Sequence, residues 1–168
     1  NLLDKAEEHF IALKKVDSTS QELWQGLGQL ALRTADHNKM LNIAEDGLKS
    51  LSSSSQPWDF MPMATELFIQ CGQFDQASDC ISKLRQKDIA PKMTPFLEGL
   101  MLEKKGFDYE AAKCFYQAIQ LSGDSARIRL QLAMVLSRLG DRQSAIQQLR
   151  KIVSDRPNYF WGRLNLAK

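Results

Sequence analysis

The sequence predicts an all-α solenoid of antiparallel helix hairpins that repeats every 34 residues, and two observations carry that prediction. First, Gly72, Gly106 and Gly140 stand 34 apart, as do Ala77, Ala111 and Ala145. The triples Ile81, Phe115, Leu149 and Leu84, Ala118, Ile152 keep the same interval. Four columns sharing one period mark a structural repeat. Second, each alanine is followed by a large or apolar residue four positions on and another three further. That spacing places the three side chains on one helical face. The glycine five residues before the alanine suits a helix stop, where a left-handed backbone strains glycine least. Each unit therefore reads helix, tight turn, helix.

The register accounts for the chain in order. Ala6, Phe10 and Leu13 repeat the second-helix face one period early, so residues 1–20 are expected to be the second helix of a preceding repeat. Trp24, Leu27, Gly28 and Ala31 fall on the first helix of the repeat at 21–57, and Met40, Ala44 and Gly47 on its second. Extra residues near 50–56 lengthen the following loop, whose serines also offer a phosphorylation cluster. Strict register holds over 58–91, 92–125 and 126–159, and 160–168 starts a further first helix. Pro95 fits a first turn with Thr94 as cap. Pro62 implies a late start or a kink in its helix. Helical hairpins cover their apolar faces by stacking on neighbours. Both ends present faces suited to further hairpins, so the chain is expected to be a fragment of a longer array.

Trp24-x2-Leu27-Gly28, Ala111-x3-Phe115-x2-Ala118 and Ala145-x3-Leu149-x2-Ile152 followed by Pro157 are the two halves of a known repeat. The pattern resembles the tetratricopeptide repeat across essentially the whole chain. It departs where Ala31 stands for the usual tyrosine, Met40 for an alanine and Glu98 for a leucine. The resemblance implies a right-handed superhelix whose first helices line a concave groove. It also implies a non-catalytic scaffold for protein–protein interaction.

Composition removes several alternatives. The 168 residues are 43% hydrophobic and 25% charged, with a net charge of +2, which argues against a general nucleic-acid coat. No run reaches the roughly 18 apolar residues of a membrane span. Cys71, Cys80 and Cys114 have no CxxC spacing, and Cys80 and Cys114 occupy equivalent positions. They read as free structural thiols, which leans toward a reducing cytoplasmic setting. His9 and His37 are the only histidines, and neither has partners at metal-ligand spacing. Neither completes a nucleophile–base pair, so no catalytic residue, metal or cofactor is expected. Gly26-Leu27-Gly28-x2-Ala31 matches a dinucleotide fingerprint in letters, but it lies inside a helical pattern and reads as close helix contact. Lys87-Asp88-Ile89-Ala90-Pro91 is similar to a pentatricopeptide linker, against which the period of 34 argues.

Charge is uneven: residues 126–168 hold 9 basic and 2 acidic side chains, whereas residues 1–57 and 58–125 are acidic on balance. A basic C-terminal quarter suits an acidic partner. The groove positions implied by the resemblance give Glu22, Gln25, Gln29, Leu32 and Arg33, then Asp59, Pro62, Glu66, Ile69 and Gln70. The next two first helices give Met93, Phe96, Leu100, Glu103 and Lys104, then Arg127, Leu130, Met134, Ser137 and Arg138, with Trp161 beyond. From these, Met93, Phe96, Leu100, Lys104, Arg127, Leu130, Met134, Arg138 and Trp161 form the candidate binding set. They suit an apolar peptide or helix with acidic flanks. The Lys/Asn clamp with which related chaperone adaptors hold a terminal carboxylate has no counterpart in either possible frame, so a chaperone tail is disfavoured. Other readings are a module of a larger enzyme or of an envelope polysaccharide-export assembly, end-to-end self-association through terminal helices, and, less favoured, nucleic-acid binding through the basic quarter.

Overall fold

The structure, a computed structural model, describes residues 2–52, 58–122 and 125–160. Among the described residues every regular element is an α-helix, and the chain divides into two compact units, residues 1–90 and 91–168. The chain is an all-α helical repeat.

The first unit holds α1 (Leu2–Val16), α2 (Gln21–Thr34), α3 (His37–Leu51), α4 (Met61–Gln70) and α5 (Phe74–Gln86). Helices α2–α3 and α4–α5 form hairpins, and α4 also packs on α3 and α2. Ser20 and Asp36 cap α2 and α3 by accepting from the Leu23 and Lys39 amides at 3.3 and 3.0 Å. His37 is thus the first residue of α3. Pro62 lies in the first turn of α4, so the helix begins three residues after the register start at Trp58 and needs no kink. Helix α4 is apolar nearly all round, and it buries Ala64, Leu67, Phe68 and Ile69 together with Thr65 and Glu66. The Trp24 and Phe60 rings lie 6.3 Å apart in this core, and Trp24 Nε1 donates to the Ser18 carbonyl at 2.8 Å. A Cβ on Gly28 would come within 2.7 Å of Met63 Cγ. The Gly-x-Gly motif thus permits close approach of α2 and α4 and does not open a phosphate site.

The second unit holds α6 (Thr94–Lys104), α7 (Asp108–Ser122), α8 (Ala126–Arg138) and α9 (Arg142–Asp155). Hairpins α6–α7 and α8–α9 stack through α7 and α8. Thr94 is the first helical residue of α6, with Met93 in the capping position and no side-chain cap; Pro95 still lies in the first turn. Phe96 and Phe115 rings lie 6.0 Å apart at the centre, and a Cβ on Gly99 would sit 2.6 Å from Phe115 Cε1. Leu97, Ala111, Ala118, Leu132, Val135 and Ile152 complete the core.

The hairpin turns explain the glycine column. Gly72, Gly106 and Gly140 have φ of 75°, 83° and 82°. After each, the next amide bonds back to a carbonyl five residues earlier, as from Phe107 to Leu102 at 2.9 Å. This is the glycine-centred helix stop. The first hairpin makes its turn with Ala35 at φ 54°.

Candidate functional site

In the second unit, α6 and α8 run side by side in the same direction, and two arginines of α8 tie them together. At the N-terminal end, the Arg127 guanidinium carbon lies 5.0 Å above the Phe96 ring. At the C-terminal end, Arg138 donates to Glu103 Oε1 at 2.8 Å and to both oxygens of Asp108 at 2.8–3.2 Å. The fork geometry of guanidinium and carboxylate makes the Asp108 contact bidentate. Hydrogen bonding to Arg138 holds the Asp108 carboxyl below its ordinary range, and the same bond raises the guanidinium further above its own.

Between these ties, α8 presents a stripe at positions i, i+3, i+7 and i+11: Arg127, Leu130, Met134 and Arg138. Its opposite side buries Ile128, Leu132, Val135 and Leu136. On the stripe Leu130 is half-buried and Met134 is 41% exposed. Met93 is 39% exposed at the cap of α6, and Lys104 is exposed at its end.

Two expected members belong elsewhere. Phe96 and Leu100 are each 3% exposed. They share the predicted face, but Arg127 lies over Phe96, and both side chains are part of the core. They are not an open wall of a groove. Trp161 lies outside the described residues, as do the serines at 53–55. The sequence reading also missed the Arg138 clamp. Its signal was present as an acidic residue opening one second helix and an arginine closing the following first helix, 30 positions on. Arg138 is therefore already paired within the chain and is not an idle cation awaiting a ligand.

In the first unit Pro62, Glu66 and Ile69 are buried, Gln25 Nε2 donates to the Asp59 carbonyl at 3.2 Å, and the exposed corresponding positions are the polar Glu22, Gln29, Arg33 and Asp59. A separate pocket of about 340 Å³ opens between α3, α4 and α5, lined by Leu48, Trp58, Met61, Phe68 and Cys80 with Asp79 and Lys83 at its edge. Lys83 donates to Asp79 Oδ2 at 2.6 Å, which leaves the edge without an idle charge pair. Burial raises the Cys80 thiol, and it also raises Cys71, whose Sγ donates to the His37 carbonyl at 3.4 Å. These thiols are less reactive than an open cysteine. Among the described residues no group of three His, Cys, Asp or Glu side chains is placed to hold a metal, and no helix is long and apolar enough to cross a membrane.

Stacked helix hairpins with glycine-centred turns and a partly open first-helix face define a helical-repeat solenoid. Residues 126–159 match the tetratricopeptide repeat family model. A thermophilic tetratricopeptide-repeat protein of Thermus thermophilus, TTC0263, superposes with a TM-score of 0.82 at 19% identity, over 98% of this chain and 89% of that one. YrrB, described as a tetratricopeptide-repeat protein with an unusual peptide-binding site, superposes with a TM-score of 0.60 at 15% identity, over 100% of this chain and 85% of that one. No curated protein matches the chain. Residues 126–159 thus carry a tetratricopeptide-repeat match, and the chain as a whole shares the fold of these tetratricopeptide-repeat proteins.

Proposed function

We propose that this chain is a non-catalytic protein-interaction scaffold that seats a peptide or helix of a partner on the α6–α8 face of its second unit. The single observation that carries the reading is the α8 stripe. Leu130 and Met134 are the apolar first-helix side chains left open there, on a helix whose other faces are filled. Met134 and Met93 offer unbranched, polarizable contact surface that adapts to varied apolar groups. Lys104 is the exposed cation of the face that holds no partner among the described residues, so it is the one suited to an acidic flank. Arg127 and Arg138 act instead as the frame that fixes α6 against α8. The likeness to a protein described as having a peptide-binding site supports the same reading.

A peptide-display selection on the intact chain tests it. Selected peptides are expected to carry an apolar centre with an acidic flank. They are expected to lose at least tenfold in affinity on Met134→Asp, a change at an exposed position that leaves helicity intact. Peptides that bind Met134→Asp equally well would overturn the assignment. Phe96→Asp is not a useful variant, because a charge at a site that is 3% exposed unfolds the core.

A further inference from the structure

The cavity between α3, α4 and α5 lies within the first unit, and each of the three helices gives it a wall. Met61 and Phe68 stand at i and i+7 of α4, Cys80 and Lys83 at i and i+3 of α5, and α3 contributes Leu48. Its volume is about 340 Å³. Pockets for small molecules begin at about 300 Å³, and an apolar cavity of about 150 Å³ holds one benzene. The space therefore suits one ring or two fused rings. Its mouth lies on α5, where the Lys83 and Asp79 side chains are 49% and 62% exposed. Met61, Phe68 and Cys80 behind them are buried.

The lining selects an aromatic body. Trp58 and Phe68 present ring surface. Met61 and Cys80 present sulfur, which is polarizable, and a thioether makes favourable contacts with ring edges. The fold itself does not impose this lining. Counting forward two periods of 34 from Met61 and Cys80 gives Arg129 and Gln148. Those two side chains hydrogen-bond across the α8–α9 hairpin, so the same pair of positions accepts a guanidinium and an amide. The α4–α5 hairpin carries a thioether and a thiol there instead.

The mouth adds a charge preference. Lys83 is matched by Asp79 at 2.6 Å. One turn further along, Lys87 stands over the Trp58 ring, 5.9 Å from its centre. Two cations against one carboxylate leave the rim positive. An anionic group arriving there meets Lys87 without separating Lys83 from Asp79. We infer that this cavity is a binding site for a small aromatic carboxylate. Its rings rest against Met61, Phe68 and Cys80, and its carboxylate faces Lys87. The site is separate from the α6–α8 face and does not depend on it.

The test is calorimetric titration of the intact chain with naphthoate. Naphthalenemethanol and naphthylmethylamine are the neutral and cationic comparators, and N-acetyltryptophanamide stands for an aromatic side chain of a partner protein. Naphthoate is expected to bind one to one, about threefold or more tighter than any comparator. Lys87→Glu, at an exposed position, is expected to weaken it about threefold or more. Cys80→Met, which extends a side chain into the cavity, is expected to abolish binding while circular dichroism stays that of wild type. A further readout needs no variant. Saturating naphthoate is expected to slow alkylation of Cys80 and to leave that of Cys114 unchanged, as mass spectrometry of the two peptides resolves. The proposal is overturned if naphthoate fails to bind, if a comparator binds as tightly, or if Lys87→Glu leaves its affinity unaltered. Undiminished binding to a folded Cys80→Met variant, or a Cys80 that naphthoate does not protect, equally overturns it.

Discussion

Ala35 and Gly106 do the same job with different side chains, and the contrast gives a sharp expectation. Both close a hairpin in the left-handed region, where a Cβ crowds the following carbonyl and strains an L-residue by about 1 kcal/mol. Ala35→Gly is expected to raise stability by about 0.5–1 kcal/mol, and Gly106→Ala to lower it by about 1 kcal/mol, both read from urea unfolding midpoints. Open space surrounds a Cβ at Gly106, so backbone strain alone sets that loss. Gly99 makes a different case: its conformation is ordinary, and an added Cβ meets the Phe115 ring. Gly99→Ala is expected to cost about 1–3 kcal/mol through overpacking, on the same assay. The glycine turns were legible because φ requirements leave a residue-type signature at a fixed interval. Ala35 was not, because alanine carries no such mark.

At the scale of the element, Arg138 of α8 is joined to α6 through Glu103 and to α7 through Asp108, and the second tie depends on the ionisation of Asp108. The folded carboxyl titrates below its unfolded value of about 3.9 because the guanidinium favours the charged form. Stability from the pair is therefore complete above that unfolded value and is lost as pH falls through the lowered folded one. Asp108→Asn is expected to cost about 1 kcal/mol or less near neutrality, given that Arg138 is 43% exposed. The difference from wild type should vanish in strong acid, as unfolding measured at several pH values would show. Helices also differ in what they bury. Helix α4 is enclosed on nearly every side, whereas α1 leaves Ile11, Leu13 and Val16 exposed. Amide exchange is expected to be slowest in α4 and fast in α1, because local opening follows buried contact. The repeat pattern foretold which side chains share a face. It did not foretell how tightly neighbouring helices close over that face, which is why Phe96 and Leu100 changed from surface to core. The length and composition of α4 and α6 held a hint, since both are apolar almost all the way round.

Over the whole molecule, the 34-residue period made the fold legible because each hairpin repeats one set of local solutions: a stop glycine, a small alanine for close helix contact and a large residue to fill the core. The surface was less legible, since pairing such as Arg138 with Asp108 depends on three-dimensional neighbours that a linear register does not rank. What emerges is a scaffold with an apolar stripe on α8, centred on Met134 and framed by two arginines already in use. Site-specific photo-crosslinking measures that claim directly. A photoreactive phenylalanine analogue is placed at Met134 in one variant and at exposed Gln117 of α7 in another, and each is irradiated in lysate of the source cells. A discrete protein adduct is expected from position 134, absent from position 117 and suppressed by a peptide selected on the intact chain. An adduct of equal yield at both positions, or none at 134, would contradict it.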